Sequence, residues 1–82
     1  MKYQLKIVVF GGLKAYFTPE MSLEVDEEST IGELLVRLET SQPTSCNLLS
    51  VCVVAIDGTV FPKEHKIGKA LEMAILPPFS GG

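Results

Sequence analysis

From Tyr3 to Phe10 the residues alternate, with Leu5, Ile7 and Val9 on one face and Gln4, Lys6, Val8 and Phe10 on the other, which predicts a strand. Gly11 and Gly12 break it, and LKAYFTPE reads as a short helical turn or a wide hairpin connection ended by Pro19. MSLEV alternates again and sets Met21, Leu23 and Val25 on one side, a second strand antiparallel to the first. Thr30 followed three residues later by Glu33 is a capping box, in which each side chain satisfies an orphan backbone amide of a helix start. The helix that begins there carries Ile31, Leu34, Leu35 and Leu38 on one face and leaves Glu33, Arg37 and Glu39 to water. Pro43 lies in ETSQPTSCN, which ends the helix in a loop.

LLSVCVVAI is rich in β-branched residues and reads as a strand buried on both faces, followed by the tight-turn pair Asp57-Gly58. TVFP makes a short return strand. After the polar KEHKIGK, the stretch LEMAIL sets Leu71, Met73 and Ile75 against Glu72, Ala74 and Leu76, a last strand that runs into Pro77. The order β, β, α, β, β, β predicts an α+β fold, a mixed sheet packed on one main helix. Residues 1–76 form the domain, and residues 77–82 form an extended, flexible C-terminal tail.

At 82 residues the chain builds one small core. Its formal charge of −3 argues against nucleic acid, which needs a concentrated basic surface. Lys63, Lys66 and Lys69 gather near His65, but Glu64 and Glu72 interrupt them, and a solvated loop is the better reading. No apolar run is long enough to span a bilayer, and the first residues read as a strand rather than a signal peptide, so a cytoplasmic location is expected. Cys46 reads as a loop thiol and Cys52 as a core or strand thiol. With His65 as the one histidine they make a poor zinc site, and no metal is expected.

The chain closes on PPFSGG. Pro77 and Pro78 lack backbone donors and hold φ near −65°, so a sheet ladder stops there and the chain leaves in an extended direction. Ser80, Gly81 and Gly82 add almost no bulk, so this end suits a narrow channel whose walls would reject a Cβ. A carboxylate is a poor acyl donor until its oxygen becomes a leaving group, for example as an acyl-adenylate. FGGLKAYF has neither the glycine spacing nor the lysine placement of a phosphate-binding loop, so the activating chemistry belongs to a partner.

The order of elements together with PPFSGG resembles the small subunit of molybdopterin synthase, the MoaD-type sulfur carriers of the ubiquitin-like β-grasp group. The likeness runs along the whole chain, through KIVVF, TIGELLVRL and VVAIDGTV, and its specific part is the double-proline, double-glycine end. The resemblance implies that the Gly82 carboxylate is adenylated by a ubiquitin-activating-type enzyme and converted to a thiocarboxylate. It implies that Gly81 lets the tail enter that enzyme and the large synthase subunit. The sulfur would go to a pterin, for the molybdenum cofactor. Catalytic residues are then expected on the large subunit, a sulfur donor enzyme is a further partner, and ATP is used by the activating enzyme, with no cofactor held by this chain.

Related carriers serve thiazole, cysteine or tRNA thiolation, or are joined to protein lysines, and a β-grasp binding module with an inert tail is the alternative of a different class. Two departures from the family pattern stand out. Phe79 replaces a small branched residue, and Lys69-Ala70-Leu71 stands where the family has an Asp-Gly-Asp turn, which suggests a turn built around Gly68. A partner surface is expected beside the tail, on the exposed side of the last strand and the nearby hairpin. Phe61, Leu76 and Phe79 are its apolar candidates, with core packing an equal alternative for Phe61, and Pro77, Pro78 and Ser80 complete the contact set.

Overall fold

The computed structural model describes residues 1–78. Two strands, β1 (Lys2–Val9) and β2 (Glu20–Asp26), form an antiparallel hairpin, followed by the helix α1 (Ile31–Ser41). A short helix α2 (Cys46–Leu49) leads to a second hairpin, β3 (Val53–Ile56) and β4 (Thr59–Phe61), and β5 (Glu72–Leu76) follows. The sheet order is β2-β1-β5-β3-β4. The last strand therefore inserts between the two hairpins, parallel to β1 and antiparallel to β3.

The registers set one face of this mixed sheet. Leu5 lies opposite Leu23, Ile7 opposite Met21 and Met73, Val9 opposite Ile75, and Ile75 opposite Val54. These residues meet Ile31, Leu34, Leu35 and Leu38 of α1 in a single core. Each such side chain contributes about 1.5–3 kcal/mol by leaving water. The capping box is formed as expected: the Thr30 hydroxyl accepts the Glu33 N–H at 3.1 Å, and the Glu33 carboxylate accepts the Thr30 N–H at 2.7 Å.

Residues 62–71 are a strap rather than a free loop. Its carbonyls at His65 and Lys63 accept the N–H groups of Ile31 and Gly32 at the helix start, both at 2.9 Å. Ile67 and Gly68 donate back to Ser29 and Glu27. Gly68 has φ +65°, a conformation that favours glycine, and its carbonyl accepts the Tyr3 hydroxyl at 2.8 Å. The turn before β5 is thus built around Gly68 and not on an Asp-Gly-Asp pattern. The Asp57-Gly58 pair takes φ +47° and +90°, as a two-residue hairpin turn with both central residues left-handed requires.

Two expected elements differ. LLSVCVVAI is not one strand: Leu48 and Leu49 finish α2, Leu49 enters the core completely, and the strand begins only at Val53. The N–H of Cys52 bonds to the Leu49 carbonyl, so the helical turn runs on to the edge of the strand. Leu71 likewise lies outside the last strand and is 81% exposed, because its N–H is directed at the Asp57 carboxylate. LKAYFTPE resolves into a 3-10 turn over Gly11–Ala15, which buries Leu13.

Candidate functional site

The tail leaves from the middle of the sheet. β5 is the central strand, Leu76 pairs with Val53 of β3, and Pro77 and Pro78 follow directly. A proline at this point removes the donor that would extend the ladder. The expected tail residues Phe79, Ser80, Gly81 and Gly82 lie outside the described residues.

The face of the sheet turned away from α1 divides into two halves. Beside the tail exit it is apolar. Val8 lies opposite Ala74, Ala74 opposite Ala55, Ala55 opposite Val60 and Leu76 opposite Val53. Val53 is 47% exposed and Val60 60% exposed, and Phe10, which continues the parity of Val8, is 41% exposed. The other half is charged. The Lys6 ammonium sits between Glu20 at 3.4 Å and Glu72 at 3.5 Å, and these carboxylates, Glu20 first, hold it above the ordinary lysine range. At about 25 cal/mol per Å², covering the apolar half is favourable, and the charged half favours one orientation of whatever covers it.

Of the apolar residues expected here, Leu76 is on this open face and half-buried. Phe61 is not. It lies opposite Val54, so it turns to the helix side, packs against the core and stacks on His65 with ring centroids 4.0 Å apart and planes 12° apart. Phe61 is thus placed as a core-edge residue. Val53, Val60, Val8 and Phe10 take its place on the open face. Their signal in the sequence was present as the alternating partners of Val54 and Ile7, but reading 48–56 as a strand buried on both faces hid it. A shallow groove of about 350 Å³ runs between Val53 and the Val60–Pro62 segment, at the flank of this patch.

The thiols are not arranged for catalysis. Cys52 is buried, its S–H donates to the Leu48 carbonyl at 3.1 Å, and burial pushes the thiol pKa up, with Lys63 opposing. Cys46 is exposed at the start of α2, and its Sγ is 3.9 Å from the Asn47 side-chain oxygen. His65 is engaged with Phe61. Among the described residues, no group of three or more His, Cys, Asp and Glu residues could hold a metal ion, and no helix is long and apolar enough to cross a membrane.

A five-stranded mixed sheet with the last strand central, one main helix on one face and a tail leaving from that strand is the ubiquitin-like β-grasp arrangement. A match to the ThiS family covers residues 7–82, and the chain belongs to that family, a ubiquitin-like sulfur carrier. Its structure is similar to SAMP1 of Haloferax volcanii, at 19% identity and a TM-score of 0.76, covering 98% of this chain and 100% of that one. It is also similar to a ubiquitin of Caldiarchaeum subterraneum, at 15% identity and a TM-score of 0.66, with both chains covered completely. A third similar structure is a protein–protein complex of subunits 1 and 2 of the molybdopterin-converting factor of Helicobacter pylori. The matched chain there has 18% identity and a TM-score of 0.61, with 98% of this chain and 100% of that one covered.

Proposed function

We propose that the chain carries sulfur on the carboxylate of Gly82 and delivers it in molybdopterin biosynthesis. The observation that carries this reading is the Pro-Pro-Phe-Ser-Gly-Gly end leaving the central strand at the border of an exposed apolar patch, in a chain of the ThiS family. A carboxylate oxygen of Gly82 attacks the α-phosphorus of ATP in an adenylating enzyme, and pyrophosphate leaves. Hydrosulfide released by a donor enzyme then adds to the acyl carbon, gives up its proton, and AMP leaves with the former carboxylate oxygen. On a large subunit the thiocarboxylate sulfur bonds to a carbon of the acceptor pterin as an oxygen leaving group departs from that carbon, and water then cleaves the thioester, leaving the thiol on the pterin and restoring the Gly82 carboxylate.

In this scheme the chain's own residues bind and orient. Val53, Val60, Val8 and Leu76 seat the partner, Pro77 and Pro78 direct the tail, and Ser80, Gly81 and Gly82 pass through a narrow channel. ATP belongs to the activating enzyme, and the chain holds no cofactor. The complex of the two Helicobacter pylori subunits supports a large-subunit partner for this chain. A second reading, attachment of Gly82 to protein lysines, is favoured by the likeness to SAMP1, the small archaeal modifier protein 1, and to ubiquitin.

The test is incubation with ATP, a sulfur donor and an adenylating enzyme from the same source, followed by fragmentation of the C-terminal peptide in a mass spectrometer. Sulfur on Gly82, absent from a Gly82 deletion, is expected. An unmodified terminus, while a control carrier is converted by the same enzyme, would sink the carrier reading. Pterin sulfuration in the presence of a large subunit separates the molybdopterin acceptor from the lysine one.

A further inference from the structure

The stretch of β1 that β5 does not reach forms a second feature, at the end of the sheet opposite the tail exit. Val9 donates its N–H to the Pro19 carbonyl, and the Met1 carbonyl accepts the Glu27 N–H, so the odd residues of β1 turn their peptide groups toward β2. The even residues face the other way. Lys6 and Val8 meet β5 there, but that ladder begins at the Lys6–Glu72 pair. Leu71, which would carry it on toward Gln4, instead gives its N–H to the Asp57 carboxylate at 3.2 Å. Among the described residues, no backbone hydrogen bond reaches the peptide groups of Lys2 and Gln4 from this side.

Next to these two open peptide groups lies a groove of about 280 Å³, between β1 and residues 69–71. Tyr3, Ala70 and Leu71 give it an apolar lining, and the Tyr3 hydroxyl bond to Gly68 fixes its wall. Lys2 and Lys69 line it together with one carboxylate, Glu27, and the Asp57 and Asp26 carboxylates lie just outside, beside Leu71 and Lys2. The start of β5 closes one end, so only a short extended segment fits.

We propose that this notch receives the C-terminal tail of a second copy of the chain by short strand addition, holding carriers head to tail when no enzyme engages them. The inference rests on the carrier reading of that tail. Each part of the tail finds a counterpart: the Phe79 ring meets the apolar lining, the peptide groups of Ser80 and Gly81 meet those of Lys2 and Gln4, and the Gly82 carboxylate meets Lys2 and Lys69. Pro77 and Pro78 lack donors, so pairing starts after them. A chain's own tail does not reach. β1 and β5 are parallel, the tail leaves at their far end, and six residues cover about 20 Å only when fully extended and would first have to reverse direction. The contact joins unlike surfaces, so it builds head-to-tail chains, or a closed pair only when two copies exchange tails. Tail release from the notch then precedes adenylation.

The test is titration of the 15N-labelled full chain with the synthetic peptide Leu-Pro-Pro-Phe-Ser-Gly-Gly, followed by amide NMR. Saturating shifts at Lys2, Gln4 and Leu71 are expected. A carboxamide-ended peptide should bind about fivefold more weakly, as the loss of an exposed ion pair allows. A Lys2→Glu, Lys69→Glu variant, altered only at exposed side chains, should lose the response, and a chain ending at Pro78 should still bind the peptide. No shifts, or shifts confined to Val53 and Leu76, would overturn the proposal, as would equal binding of the carboxamide. Peptide binding needs no enzyme, so it stands or falls separately from thiocarboxylate formation at Gly82.

Discussion

Asp57 and Glu72 hold each other by two hydrogen bonds. The Asp57 N–H donates to the Glu72 carbonyl at 3.0 Å, and the Glu72 N–H donates to the Asp57 carboxylate, also at 3.0 Å. The same carboxylate takes the Leu71 N–H at 3.2 Å, so one turn residue sets where β5 begins. Asp57→Ala should cost about 1–3 kcal/mol, since it leaves two amides without their charged acceptor. Urea denaturation checks the cost, and faster amide exchange at Leu71 and Glu72 should accompany it.

The exposed apolar half of the sheet gives a function-specific variant. Val53→Glu places a charge beside Leu76 without touching the core, so the fold should persist while adenylation of the tail falls about tenfold or more. Lys6→Gln, at the charged half, should change the salt dependence of the rate more than its maximum. Pyrophosphate release with matched circular dichroism spectra checks both.

Cys46 should react with iodoacetamide much faster than Cys52, which is buried and bonded to the Leu48 carbonyl. Mass spectrometry of the native and urea-unfolded chain reads the difference. A Cys46→Ser, Cys52→Ala chain should still carry sulfur, because neither thiol is part of the proposed chemistry.

The capping box offers a local stability test. Thr30→Ala should cost about 1 kcal/mol, with a similar or smaller effect for Glu33→Ala, measured as shifts in the urea midpoint.

Two groups set opposite limbs of the pH dependence. The Glu28 N–H, assisted by the N-terminal ammonium, lowers the Asp26 pKa, so its contribution is present above the ordinary aspartate value and is lost as pH falls through the folded one. Burial raises the Tyr3 phenol, so its contribution is present below about pH 10 and is lost above it. Urea midpoints should fall at both extremes, with Asp26→Asn flattening the acid limb and Tyr3→Phe the alkaline one.

The alternation of β1 and β2, the capping box, the Asp57-Gly58 turn and the proline stop were legible in the sequence, because each depends on near neighbours and on the intrinsic geometry of a few residue types. The likeness to β-grasp sulfur carriers was legible for the same reason, resting on element order and a chain end. What the tertiary structure decided depends on distant partners. Leu48 and Leu49 carry an apolar, β-rich local pattern, yet the core takes Leu49 from a helical turn. Phe61 belongs to the helix side because its hairpin partner is Val54, whose own face follows from Ile75. The apolar half of the open face, and the stretch of β1 that pairs with β2 but not with β5, exist only once β5 is inserted between the two hairpins. Local periodicity can say that a strand has two faces; which face meets the helix, and which neighbour lies beside it, is decided by burial of the whole sheet.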